Sequence, residues 1–239
     1  MLTQLLVEAR KLKGSPAILL ILAAPAMVSA LLTLILFKHT RMSWDETLRG
    51  AIGLWSFFVL PMTVTALTAL LAQIEHGPRA WDHILSLPTP RWRLFAAKAI
   101  VTMTLTALMS LILLVGMRMA GEVVYAFVPG KTPPDAFLWA TAIRLLASIW
   151  AASFCMSMIQ LWVALRVTNF IVPVTLGIAG TFVAVMASGA EEGIYFPWLM
   201  PLKLLVDDSG QLSPAFTYGV AGGLAVLALM MVDMSRREV

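Results

Sequence analysis

Glu75, His76, Asp82 and His83 place four groups able to ligate a metal or move a proton within a short stretch, residues 74 to 92, "IEHGPRAWDHILSLPTPRW". Two histidines seven apart share a helix face only if the helix between them is unbroken, and Gly77-Pro78 interrupts it. The spacing fits none of the recurrent zinc patterns, so solvated side chains at a surface are the better reading. "YAFVPGKT", residues 125 to 132, ends like a phosphate-binding loop, but Tyr125 stands where glycine is needed. Pro133-Pro134 follow where a helix N-terminus should aim amides at phosphate, so no nucleotide site is expected in this chain. Cys155 is the only cysteine and lies in an apolar run, which excludes a CxxC pair and suits packing. The one other histidine, His39, falls on the opposite side of the predicted membrane, so no Ser/His/Asp or Cys/His set assembles. Arg118 and Arg144 come nearest to membrane depth, and arginine is a poor general acid or base because it stays protonated.

Composition sets the elements that must carry these residues. Of 239 residues 60% are hydrophobic and 13% charged, too little polar surface for a soluble domain. Basic residues outnumber acidic ones by 17 to 13, but they gather beside apolar spans, which suits membrane topology rather than nucleic acid. Six stretches reach the roughly 20 apolar residues that cross a bilayer core: residues 16–37, 51–73, 95–119, 137–162, 170–189 and 214–233. The expectation is an all-α integral membrane protein of one domain, 1–239, with six transmembrane helices.

Arg10, Lys11, Lys13, Arg79, Arg91, Arg93, Lys98, Arg166, Arg236 and Arg237 fall on one side of these spans. Asp45, Glu46, Glu122, Asp135, Glu191, Glu192, Asp207 and Asp208 fall on the other, with fewer basic residues beside them. The positive-inside rule then places both termini in the cytoplasm. Val28-Ser29-Ala30 resembles a signal cleavage site, but the apolar run continues through "LLTLILF" to a full span. Within residues 1–14, Leu2, Leu5, Leu6, Ala9 and Leu12 recur at helical spacing, with Gln4, Glu8, Arg10, Lys11 and Lys13 on the remaining face. That predicts an amphipathic interfacial helix ended by Gly14, with Ser15 capping and Pro16 opening the next. Residues 190–213, apolar but rich in proline, predict a re-entrant or interfacial hairpin on the outer face, before Ser213 and Pro214 restart the last helix.

Within residues 74–92, Gly77 ends the second span and Pro78 opens a short helix, residues 78–87. Trp81, Ile84 and Leu85 lie on one side of it, with Arg79, Asp82, His83 and Ser86 mostly on the other. Pro88 stops it, Thr89 caps and Pro90 opens the third span, and a short cytoplasmic helix is held between two spans. Glu75, Trp81, "LSLPTPRWRL" and Lys98 resemble the signature of ABC type-2 permeases, especially lantibiotic-protection permease subunits of the MutG type. The likeness extends to the N-terminal "EARKLKGSP" helix, the six spans, "LPM" in the second span and the outer hairpin.

The resemblance implies a membrane subunit that dimerises with a second permease protomer, identical or different, and works with two cytoplasmic P-loop ATP-binding subunits, which carry ATP and Mg²⁺. It makes residues 78–87 the coupling helix, so Glu75, Arg79, Trp81, Asp82, His83, Leu85 and Lys98 become the ATPase-docking residues. Residues 2–13 become the connecting helix. The expected function is ATP-driven export of an amphipathic or hydrophobic compound, such as an antimicrobial peptide or lipid-like molecule, across a bacterial inner membrane. Thr63, Thr65 and Thr68 with Pro61 either line a path or satisfy their own backbone around a kink. Arg144 either lines a pathway or closes a helix end, paired to Glu122 or snorkelling outward. The methionines of the third and fourth spans, Met103, Met109, Met117, Met119, Met156 and Met158, suit packing better than ligand binding. The competing function is a membrane anchor or sensor subunit that docks a partner without transport.

Overall fold

The computed structural model describes residues 1–38, 43–77, 90–128, 135–206 and 213–236. Helix is the regular structure throughout these residues: α1 Leu2–Lys11, α2 Pro16–Lys38, α3 Trp44–Leu54, a π-helical turn Trp55–Val59 and α4 Leu60–His76. After residues outside the described set come α5 Arg91–Phe127, α6 Trp139–Ala152, α7 Phe154–Arg166, α8 Ile171–Met186, a 3-10 turn Glu191–Tyr195, α9 Met200–Val206 and α10 Pro214–Ser235.

Local sequence explains most of the boundaries. Gly14 takes a φ of +83°, open to glycine at little cost, and turns the chain out of α1. Ser15 Oγ accepts the Ala17 N–H at 3.2 Å at the head of α2, and Ser213 does the same for Ala215 at 3.3 Å in α10. The second apolar helix starts at Trp44, well before residue 51, because Ser43 and Glu46 form a reciprocal capping box, with bonds of 3.2 and 3.1 Å. Gly77 does end α4, but with right-handed dihedrals rather than the left-handed cap that glycine allows. Pro90 is the N-cap residue of α5 rather than its first helical residue. Within the second span the π turn precedes Pro61, which has no N–H for the carbonyl four residues back. A wider turn there relieves the ring clash.

Among the described residues, four helical runs are long and apolar enough to cross a membrane: Pro16–Lys38, Trp44–His76, Arg91–Phe127 and Pro214–Ser235. The expected fourth span, 137–162, is instead two helices, α6 and α7, bent by 41° at Ser153, and counts as a fifth span if its halves cross together. Ser153 Oγ donates to the Trp150 carbonyl at 2.7 Å, a back-bond that bends helices. Opposite the bend, a Cβ on Gly219 would stand 2.5 Å from the Ala152 carbonyl oxygen, and Gly223 admits the Phe154 ring. These glycines, four apart on α10, let the two backbones meet as small residues do between membrane helices. Where the fifth span was expected lies α8, 16 residues or about 24 Å long, short of a core of about 30 Å.

The core lies where α2 packs along α5, α7 packs against both α10 and α4, and α4 touches α8. Trp55, Leu113 and Ile149 are among the fully buried side chains, and so are Met109, Met117, Met156 and Met158, four of the six methionines of the third and fourth expected spans, whereas Met119 is exposed. Cys155 is buried against Gly222. The described part of the expected hairpin, residues 190–206, folds into the bundle rather than lying on it. α9 packs on α6 and α10, and Trp198, Leu199 and Met200 are buried. Trp198 rests on Gly180, and Lys203 Nζ donates to the Ser188 and Ala190 carbonyls at 3.2 and 2.8 Å, tying the hairpin to the end of α8.

Candidate functional site

Only part of the charged stripe around α1 turns outward: Arg10 and Lys13 are exposed, but Glu8 and Lys11 are not. Leu6 is 60% exposed and Ala9 is exposed, whereas Glu8 is 4% exposed and Lys11 half-buried beside Leu12. The expected arrangement of faces is therefore corrected: Glu8, assigned to the polar outer face, points into the protein. Its reason is a partner on α5. Lys98 Nζ donates to Glu8 Oε2 at 2.8 Å and to Glu75 Oε1 at 2.8 Å. Lys11 Nζ donates to Glu8 Oε1 at 2.7 Å and to Glu75 Oε1 at 2.9 Å.

Two carboxylates and two ammonium groups thus close a ring, each charge touching both of opposite sign. Glu75 and Lys98 are each 1% exposed. Stripping a charge of water costs several kcal/mol, and only close partners with good hydrogen bonds offset it. Doubling every contact supplies those partners, and the ring is neutral overall. Burial pushes the Glu8 carboxyl up, but the Lys98 charge and the hydrogen bonds from Lys11 and Lys98 outweigh it, so its pKa lies below the ordinary value. For Lys11 burial pushes down and the bonds to Glu8 and Glu75 outweigh it, so its pKa lies above the ordinary value. Glu75 Oε2 and Gln4 Oε1 are buried with no hydrogen-bond partner among the described residues.

The ring joins three helices at one place. Glu75 is two residues from the end of α4 at Gly77, and Lys98 lies in the second turn of α5. The connection between these helices runs through residues 78–89, outside the described residues, and the expected coupling helix 78–87 falls there with Arg79, Trp81, Asp82, His83 and Leu85. What the structure does fix is the pair of anchors on either side, and it adds α1 to them. Around the same end, His76 Nε2 meets the Ala164 carbonyl at 3.0 Å. Asp233 Oδ2 accepts from Trp162 Nε1 at 2.9 Å and pairs with Arg166 at 3.5 Å. α4, α7 and α10 are thereby tied at their ends as well.

The three threonines of the second span are bonded within their own helix. Thr63, Thr65 and Thr68 are buried and donate to the carbonyls of Val59, Pro61 and Val64, serving their own helix beside the π turn and proline. Thr65 Oγ1 also accepts from Gln160 Nε2 at 2.8 Å, with Gly177 of α8 packed directly over the bond. Gln160 is fully buried in the bent span. It was visible in the sequence as an amide in an apolar run. Arg144 is exposed on α6 and makes no ion pair among the described residues; Glu122 pairs with Arg118 instead.

Several apolar membrane-length helices define a multi-pass membrane protein. The family model described as "ABC-2 family transporter protein" matches residues 4–184, well over half of the chain, and the chain belongs to that family. The match takes in nearly all of α1 and both Glu75 and Lys98, and leaves α9 and α10 beyond its end. Comparison with curated proteins finds no match.

Proposed function

We propose that the chain is the permease subunit of an ATP-binding cassette exporter. It moves an amphipathic or hydrophobic compound across a bacterial inner membrane, driven by ATP hydrolysis on a partner chain. In this reading the six helical stretches all cross the membrane, both termini are cytoplasmic, and two P-loop subunits serve a pair of permease protomers. Residues 78–87 form the coupling helix seated on the ATPase, and a lantibiotic-protection role supplies the substrate class.

The observation that supports it is the Glu8–Lys11–Glu75–Lys98 ring. A connection that only joined two spans would need no buried ionic clamp at its base. A lever does, because a push on it is delivered to the spans only if its two ends move as one body. The ring holds both ends together and carries α1 with them.

The experiment is co-purification followed by transport. The tagged chain is expected to retain a P-loop ATPase that is released by joint charge reversal, Arg79→Glu with Asp82→Arg. Inverted vesicles holding the pair are expected to accumulate a fluorescent amphipathic peptide on adding ATP. Stable docking without ATP-dependent accumulation would instead favour the anchor or sensor subunit.

A further inference from the structure

An apolar groove of about 170 Å³ runs between α5 and α6, lined by Ala107, Leu111 and Leu114 on one side and Ile143, Ala147 and Trp150 on the other. It opens sideways, since Leu111 is 59% and Ile143 52% exposed. Its polar groups are already satisfied: Ser110 Oγ donates to the Thr106 carbonyl at 3.0 Å and Trp150 Nε1 to the Met103 carbonyl at 2.9 Å. Nothing in the lining asks for water, and an alkyl chain fits it.

Neither arginine of this region lines the groove, but both stand close in sequence to residues that do. Arg118 lies one turn beyond Leu114 on α5, and Arg144 follows Ile143 on α6. Arg118 is paired with Glu122, whereas Arg144 is exposed and has no ion pair among the described residues. The three groups sum to one positive charge. A lone arginine on the lipid-facing side of a membrane helix is costly unless it reaches the interface or an anion. A second apolar groove, between α2 and α3, is lined at one place by Glu46, a carboxylate committed to its capping box.

We propose that this groove binds an anionic phospholipid, its phosphate held by Arg144 beside Arg118 and one acyl chain lying along Ala147 to Trp150. The occupant is a bilayer lipid rather than the transported compound, and the assignment does not depend on transport.

Trp150 lines the groove, so it reports the chain directly. The full-length protein is reconstituted in phosphatidylcholine vesicles containing increasing fractions of phosphatidylglycerol with brominated acyl chains, or of equally brominated phosphatidylcholine. The Trp150 signal is the difference between the native chain and Trp150→Phe. Half-maximal quenching is expected at about fivefold lower mole fraction for the anionic lipid, the preference one surface arginine supplies. Arg144→Gln should abolish that preference and Arg144→Lys keep most of it, while Ala147→Phe, filling the groove, should remove quenching by both lipids with helicity unchanged by circular dichroism. Equal quenching by the two lipids in the native chain, or a preference that survives Arg144→Gln, overturns the proposal.

Discussion

Lys98 Nζ stands 2.8 Å from Glu8 Oε2, an ion pair between residues 90 positions apart that fastens the N-terminal helix to the third membrane helix. Glu75 completes the contact from the second, so the three elements around the polar connection share one set of charges.

Removing a member should therefore cost more than a surface pair does. Lys98→Met leaves two carboxylates buried with a single ammonium, and an expected loss of about 3–5 kcal/mol follows from stranding a buried charge. Lys11→Met should cost less, because Lys11 is 26% exposed and water can replace it. Thermal unfolding in detergent ranks the two variants, and equal losses would remove the distinction.

The ring also sets a pH window. Glu8 has a lowered pKa, so its stabilisation is complete above its ordinary value of 4.5 and fades as pH falls through the folded value. Lys11 has a raised pKa, so its stabilisation is complete below its ordinary value of 10.5 and fades as pH rises through the folded value. Melting temperature should be flat between these limits and drop on both sides, and Glu8→Gln should blunt the acid limb and weaken the alkaline one as well, because Glu8 is one of the two partners that raise Lys11.

Gly177 is the close-packed point over the Thr65–Gln160 bond, and a methyl there would meet both Thr65 Oγ1 and Gln160 Nε2. Gly177→Ala should destabilise by about 1–3 kcal/mol through overpacking. Adding Gln160→Ala should recover much of that loss. Simple additivity of the two losses would show that the side chains do not meet.

Ser43→Ala should remove half of the capping box and cost about 1 kcal/mol. Hydrogen exchange at the amides of Trp44 to Leu48 checks it, since Glu46 N–H loses its acceptor. Unchanged protection there would mean that tertiary packing of Trp44 alone starts the helix.

Much of this architecture is legible from apolar run lengths, and Glu75 and Lys98 stand out from their neighbours' pattern. Glu8 is not legible, because helical periodicity sorts polar residues toward water and cannot see a partner 90 positions away. The early start of the second span was readable in Ser43-Trp-Asp-Glu46, a capping-box pattern. The bend at Ser153 has no proline to announce it. Its signal lies in the partner helix, in Gly219 and Gly223. Arg144 could be placed in depth but not in surroundings, since only the fold sets Ile143 and Ala147 beside Leu111 and Leu114.

A body holding two positive and two negative groups in contact has no net valence. If α1 and the ends of α4 and α5 that carry the ring shift together, the ring moves no net charge through the membrane's electric field, which acts at about 2.3 kcal/mol per elementary charge per 100 mV. The ring therefore adds nothing to the voltage dependence of that movement, which is left to basic residues outside the ring, such as Arg10 and Lys13.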